Sequence, residues 1–399
     1  MTIQNIEAKI LEKVVSNDVV SLAQKMVKID SQNPPGNEKE LADFTTDFLR
    51  SLGLRALQLD FIPNRPNVVG VYSSPVKAKT LLFDGHLDTV PIGDSSLWSV
   101  DPLGGVVKNG RLYGRGAVDM KGSIAAYFCA LKTIIDSGIE LEGDASIVLT
   151  SDEEVTGDGT KDFLKKGYSA DSAIVGEPTN LQVNTAHKGI VRWKLTVYGK
   201  STHASRPNEG LNAVYIMSKI VQNLEELSES YSQMKKVHPI LGEPTLSVGT
   251  IKGGSKDNVV PDICEITIDR RLISRENASG AEQEIIKQIS KASLEYPELK
   301  YKLTMYHSWP SVETPPRASI IGFADNAVKD VTGSLSRQRG FLAACEMRHL
   351  ISARIPTVIL GCGDLKMAHA VDESVDIRQM TDLSKIYVLL TLRYLGYKK

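Results

Sequence analysis

The chain has 399 residues, more than one compact domain ordinarily holds and enough for two, one inserted in the other. Its 47 basic and 48 acidic residues leave a formal charge of −1, so neither nucleic acid nor an anionic membrane is an expected partner. A hydrophobic share of 42% and a charged share of 24% suit a soluble globular protein, and no apolar run approaches the ~20 residues of a membrane span. The opening Met1-Thr2-Ile3-Gln4-Asn5-Ile6-Glu7 lacks the basic-then-apolar order of a secretion signal. Four scattered cysteines, with no Cys-x-x-Cys pair, fit reduced thiols, so a cytoplasmic location is expected.

From Ile6 to Leu54 the pattern is helical, broken by the loop Ser31-Gln32-Asn33-Pro34-Pro35-Gly36. Strands are predicted over 67–72 and 80–84, and a hairpin turns at Asn109-Gly110. A helix follows from Ser123 to Ser137, then buried-type strands over 145–150 and 173–175. Strand–helix alternation of this kind gives an α/β fold, a mixed, largely parallel sheet with helices on both faces. The pattern then changes to β-α-β-β-α-β: strands over 190–197, 245–251, 263–271 and 300–306, with helices over 210–227 and 278–294. That order is the signature of a ferredoxin-like α+β domain, read as an insertion over residues 186–307. Residues 1–185 and 308–399 then form one discontinuous domain, completed by a helix over 320–330, a strand over 356–360 and a helix over 381–395.

In open α/β sheets the working groups gather beyond the carboxyl ends of the strands. Five side chains of metal-ligand type stand at such places: His86, Asp119, Glu154, Glu177 and His369. Neutral imidazoles and carboxylates suit Zn²⁺ or another divalent first-row ion. Five ligands exceed the need of one tetrahedral ion, so two ions bridged by an aspartate are expected. Asp88, two residues from His86 in extended backbone, faces the same side and can orient the imidazole. Of the adjacent Glu153 and Glu154, one can bind metal while the other takes a proton from the attacking water. Alone, either pair would more often be surface decoration; it is the company of the other strand ends that favours chemistry.

Five segments carry a resemblance: Gly85-His86-Leu87-Asp88-Thr89-Val90-Pro91, Gly114-Arg115-Gly116-Ala117-Val118-Asp119-Met120-Lys121-Gly122, Glu153-Glu154, Gly176-Glu177-Pro178-Thr179 and Ala368-His369. Through them the chain resembles the zinc-dependent family of aminoacylases, carboxypeptidase G, acetylornithine deacetylase and succinyl-diaminopimelate desuccinylase. The resemblance implies a two-zinc hydrolase, with cobalt as the alternative metal, in which Asp119 bridges and His86, Glu154, Glu177 and His369 complete the ligands. It implies Glu153 as general base acting on a water between the ions, Asp88 as the residue orienting His86, and a cis peptide at Asp119-Met120. It further implies that the insertion is a lid that forms a homodimer, and that His203 of Gly199-Lys200-Ser201-Thr202-His203 polarises the scissile carbonyl, often across the dimer. Asn258 and Arg271 match substrate-contacting positions, the arginine suiting a substrate carboxylate.

The sequence departs from that pattern at Cys362, where many relatives have proline, and over Phe341–Arg348, which replaces a Thr-Asp-type motif. The first expectation is a deacylase of N-acyl amino acids, acetylornithine deacetylase-like, acting on a small-molecule N-acyl amino acid or short peptide. A desuccinylase comes next, then a dipeptidase or carboxypeptidase. A non-catalytic binding module is disfavoured because the ligand set is complete. A nucleotide-binding protein is disfavoured because Gly114, Gly116 and Gly122 do not form Gly-x-Gly-x-x-Gly.

Overall fold

The computed structural model describes residues 3–233, 237–335 and 340–398. The chain separates into two compact units, the first of Met1–Thr185, Thr314–Phe341 and Cys345–Lys399, the second of Ala186–Glu313 with Leu342–Ala344.

The first unit is built on a six-stranded sheet in the order Arg55–Ile62, Arg65–Tyr72, Asp144–Thr150, Thr80–His86, Ser172–Val175, Thr357–Ile359. The first three neighbours run antiparallel and the remaining pairs are parallel. This is the mixed, largely parallel sheet expected. In the central strand Thr80–His86, every residue after Thr80 is buried, because parallel sheets are covered on both faces. Alternation along the strand shows what covers each face. Phe83 stacks on Tyr127 of the helix Gly122–Asp136 at 4.3 Å between centroids and meets Tyr387 of the helix Ile377–Leu395 edge-on at 5.6 Å. Asp84 points the other way, its carboxylate 3.3 Å from the hydroxyl of Thr160 on the helix Asp158–Lys165.

Parallel strands end together. His86 pairs with Thr150 and Asp84 with Val175, so the residues following all three strands emerge along one edge. Two glycines make room behind that edge. A Cβ on Gly85 would lie 2.8 Å from the Met120 methyl, and one on Gly176 would meet the same group at 2.5 Å. The close approach seats Met120 against the sheet and so places its neighbour Asp119. The Asp119–Met120 peptide is cis.

The second unit is a four-stranded antiparallel sheet in the order Thr245–Gly253, Ile263–Leu272, Gly189–Tyr198, Lys300–Trp309. Trp193, Leu195 and Val197 on the third strand are fully buried against Ile216, Met217 and Ile220 of the helix Ala213–Ser232 and Ile285 and Ile289 of the helix Ala278–Ala292. Both helices start at an asparagine: Asn212 accepts from the Val214 and Tyr215 N–H groups, and Asn277 from that of Gly280. The unit runs past residue 307 to Glu313 because its last strand continues to Trp309 and Val312–Glu313 then pairs with Ala186–His187 at its start.

The strand Arg55–Ile62 was not expected. It is an edge strand with a single buried residue, so it lacks the apolar signal that marks its neighbours.

Candidate metal centre

His86 closes the central strand and is 1% exposed. Its Nδ1 lies 2.8 Å from the backbone carbonyl of Asp88, which assigns a proton to Nδ1 and turns Nε2 toward the carboxylates, where a metal ion would take the place of the Nε2 proton. That Nε2 is 2.9 Å from Oδ1 of Asp119 and 3.7 Å from Oε1 of Glu177. The other oxygen of Asp119 faces elsewhere: Oδ2 is 3.3 Å from Nε2 of His369, which is also 3.2 Å from Oε2 of Glu154. Two groups of potential ligands result, His86–Asp119–Glu177 and Asp119–Glu154–His369, with Asp119 in both. In each, the donor atoms lie within 4.8 Å of one another. Ligands around one tetrahedral zinc at about 2.0–2.1 Å stand roughly 3.3 Å apart, the spacing that His369 keeps from its two carboxylates.

Asp119 is held from behind. The N–H groups of Val118 and Asp119 donate to Oε1 of Glu373 at 2.9 and 3.2 Å, and Arg115 pairs with the other Glu373 oxygen at 2.7 Å. Asp88 acts differently from the expectation. Its carboxylate is 3.8 Å from His86 Nδ1, and the imidazole uses the Asp88 carbonyl instead. The carboxylate is occupied by the N–H groups of Glu153 and Glu154, at 3.0 and 3.1 Å, and by the Asn33 amide at 2.8 Å. It therefore sets the segment that follows the strand Asp144–Thr150.

The electrostatics are those of a site short of positive charge. Burial raises the carboxyls of Glu153, Glu154 and Glu177 above the usual range, helped by neighbouring carboxylates. Burial, with the charge of Asp84, pushes Glu346 up to about 8. Hydrogen bonds to Asp119 and Glu154 push His369 up to about 10. For His86, burial is outweighed by Asp119 and Glu177, and the imidazole is raised well above its ordinary value. Burial likewise opposes the ionised form of Asp119, but hydrogen bonds from His369 and His86 hold that carboxyl below the usual range. Among the described residues, Oε1 of Glu153, Oε1 of Glu154 and both oxygens of Glu346 are buried without a hydrogen-bond partner. Orphaned carboxylate oxygens beside imidazole nitrogens are a donor set that divalent cations fit, since buried anions require paired charge.

All five expected ligands thus converge in the first unit, and Glu153 stands beside them, its carboxylate within 4.8 Å of that of Glu177. His203, Asn258 and Arg271 belong to the second unit. There the His203 loop and the Asn258 loop are joined, His203 bridging to Val259 and the Ala204 N–H donating to the Asn258 carbonyl at 3.1 Å. Nδ1 of the exposed His203 lies 2.7 Å from the Ser205 hydroxyl. Arg271 pairs with Asp269 at 2.8 Å. Cys362 joins none of the ligand groups. It lies 3.6 Å from the Ser123 hydroxyl, and burial pushes its thiol up to about 12.

Glu346 was missed. It forms a third carboxylate group with Glu153 and Glu177 and is fully buried, as is Arg348, so this stretch packs beneath the centre. Glu373, Asp152 and Asn33 were missed as well. The signal for Glu346 was an acidic residue embedded in a run of apolar ones, where a surface position would be polar all round.

A sheet that delivers imidazoles and carboxylates to one edge defines a hydrolase-type centre rather than a nucleotide site. Residues 82–393 match the model of Peptidase family M20/M25/M40, and the chain belongs to that family of amide-hydrolysing enzymes. It is 30% identical over 386 residues, covering 95% of both chains, to an acetylornithine deacetylase of Buchnera aphidicola subsp. Schizaphis graminum. It is 28% identical, covering 96% of both, to an N-formyl-4-amino-5-aminomethyl-2-methylpyrimidine deformylase of Bacillus subtilis. Among solved structures, an M20 family metallo-carboxypeptidase of Sulfolobus solfataricus superposes with a TM-score of 0.78 at 21% identity, over 94% of this chain and 98% of that one.

Proposed function

We propose that this protein is a two-metal deacylase that hydrolyses the amide bond of an N-acyl amino acid, with acetylornithine as the first candidate substrate. The observation that carries the proposal is Asp119, which turns one carboxylate oxygen to His86 and the other to His369. His86, Asp119 and Glu177 would hold one divalent ion, and Asp119, Glu154 and His369 the other. Zinc is the expected metal and cobalt the alternative. Bound there, the ions supply Lewis-acid polarisation of the scissile carbonyl and lower the pKa of the attacking water.

The protein's own groups do the rest. Glu153 stands beside the ligand groups, its carboxylate within 4.8 Å of that of Glu177, where it would take a proton from the attacking water and return it to the leaving amine. Asp88 fixes the Glu153 backbone. From the second unit, the His203 N–H would stabilise the developing oxyanion, Asn258 would contact the substrate, and Arg271 would fix its carboxylate. That unit would serve as lid and homodimer module. Its sheet has two outer strands, Thr245–Gly253 and Lys300–Trp309, available for pairing with a second copy. The four cysteines are buried and unpaired, which supports a reducing, cytoplasmic compartment. No helix among the described residues is long and apolar enough to cross a membrane.

The similarity to formyl-aminopyrimidine deformylases favours a second reading, removal of a formyl group from a heterocyclic amine. Metal analysis, with hydrolysis of acetylornithine, succinyl-diaminopimelate, acetyl-methionine, a dipeptide and the formyl-aminopyrimidine, separates the readings. Wild type should turn over one of these, and Glu153→Ala should lose that activity while keeping its metal. Failure to bind metal after reconstitution would overturn the proposal.

A further inference from the structure

The loop between the helices Ser16–Val27 and Lys39–Ser51 reaches the metal centre through one side chain. Asn33 is 4% exposed, and its amide nitrogen makes two hydrogen bonds, to Oδ2 of Asp88 at 2.8 Å and to Oδ1 of Asp152 at 2.9 Å. Both acceptors hold the same short segment. Asp88 receives the N–H groups of Glu153 and Glu154. Asp152 immediately precedes Glu153 and has φ +72°, a left-handed conformation that residues with a side chain seldom adopt. The same Asp152 oxygen also accepts from Arg65 Nη2 at 2.8 Å, and Arg65 is anchored on the buried Glu38 through Nε at 2.8 Å.

We infer that Asn33 is a positioning residue for the centre. Its amide ties Asp88 to Asp152 and thereby sets the direction in which Glu153 and Glu154 leave the strand Asp144–Thr150. The chemistry of the side chain fits the task. An NH₂ group has two hydrogens for two carboxylates, and being neutral it adds no charge beside the ligands. An aspartate of the same shape would offer only acceptors and set a third carboxylate against two others. The loop itself does not depend on this side chain. The Asn33 N–H donates to the Thr89 carbonyl at 2.8 Å, and the Thr89 N–H to that of Ser31 at 3.0 Å, so truncation leaves the backbone tethered.

The inference rests on Glu153 as base and Glu154 as ligand, so both are tested together. Asn33→Ala, Asn33→Asp and Glu153→Gln are prepared beside wild type, loaded with Co²⁺ and compared by absorption spectrum, thermal melting and steady-state kinetics on the member of the substrate panel that wild type turns over fastest. For Asn33→Ala the expected result is a fall in kcat of about 10- to 100-fold, the usual effect of losing a group that orients ligands, with KM within about twofold. Its Co²⁺ spectrum should differ from wild type, because displacement of Glu154 alters one coordination sphere. Asn33→Asp should lose at least as much. Wild-type kcat and an unchanged Co²⁺ spectrum in both Asn33 variants, with Glu153→Gln inactive, would overturn the inference and leave the proposed function standing. Wild-type kcat in Glu153→Gln would remove the reading on which it rests. If neither Asn33 variant folds, the residue is structural and the inference fails.

Discussion

Asp88 and Glu153 are joined through the backbone: the Glu153 N–H donates to Oδ1 of the Asp88 carboxylate at 3.0 Å. The imidazole of His86 meanwhile rests on the Asp88 main-chain carbonyl at 2.8 Å. One residue therefore supports the centre in two separable ways, by side chain towards the base and by main chain towards a ligand. Asp88→Asn turns part of an all-acceptor group into a donor facing three other donors. A fall in kcat of about 10²-fold is expected, while the ion at His86 is retained because the carbonyl survives. Metal content measured alongside kcat checks it. Loss of both ions together would contradict the separation.

The sharing of Asp119 predicts a stoichiometry for each ligand. Asp119 belongs to both ligand groups, whereas His369 and Glu154 belong to one and His86 and Glu177 to the other. Elemental analysis of dialysed protein should find about two ions per chain in wild type, about one in His369→Ala and close to none in Asp119→Ala. Chelation should abolish hydrolysis, and added Zn²⁺ or Co²⁺ should restore it. An unaltered count in Asp119→Ala would show that the shared carboxylate is not a bridge.

His86, Glu154 and Glu177 were legible as candidate ligands because each stands at or just beyond the end of a strand, and Phe83-Asp84-Gly85-His86 carries an apolar strand pattern into a histidine without interruption, whereas Asp119 and His369 sit in turns outside the sheet. A reader of one dimension can see such an end. Asn33 was not legible, because its role exists only where the chain returns to the sheet edge from a distant loop, and the apolar run around Glu346 signalled burial without signalling what the carboxylate faces. Nothing local distinguishes Asn33 in an Asn-Pro-Pro-Gly loop from an ordinary turn residue. The role expected of the Asp88 carboxylate was displaced for a related reason, since periodicity puts two side chains on one side but cannot show that backbone N–H groups have taken the carboxylate. The strand Arg55–Ile62 was hidden by its edge position, as half-buried strands mix polar and apolar residues.

Removal of metal should make stability depend on pH in a direction that follows from the buried carboxyls. Burial pushes Asp84 and Glu346 up to about 8 and raises Glu153, Glu154, Glu177 and Glu373. Each raised carboxyl contributes stability that is complete below its unfolded value and lost as pH rises through its folded one. His369, up at about 10 through its bonds to Asp119 and Glu154, behaves the same way over a higher range. Asp119 runs in the opposite sense, losing its contribution only in acid. The metal-free protein should therefore melt at a lower temperature at about pH 9 than at about pH 6. Bound Zn²⁺ should flatten that slope, because it would stabilise Glu154 and Glu177 among these carboxylates in their ionised form. Calorimetry of apo and loaded protein across this range checks it, and equal slopes would contradict it.

Arg348 allows a prediction about stability rather than turnover. The residue is 1% exposed, its Nη1 is 3.9 Å from Oε1 of Glu153, and its charge favours the ionised forms of Asp84 and Glu346. Gly157, at φ +67°, presents no side chain where the guanidinium packs. Arg348→Met keeps much of the volume but strands buried carboxylates without their cation. Breaking a buried charge pair in this way costs about 3–5 kcal/mol, more than a surface ion pair contributes. At about pH 9, above the value of about 8 at which Glu346 ionises, adding Glu346→Gln removes one of the stranded charges, so the double variant should there recover part of the loss instead of adding to it. Chemical denaturation of the two single variants and the double variant measures the coupling. Strict additivity would mean that Arg348 acts through packing alone and that the charge of Glu346 is neutralised some other way.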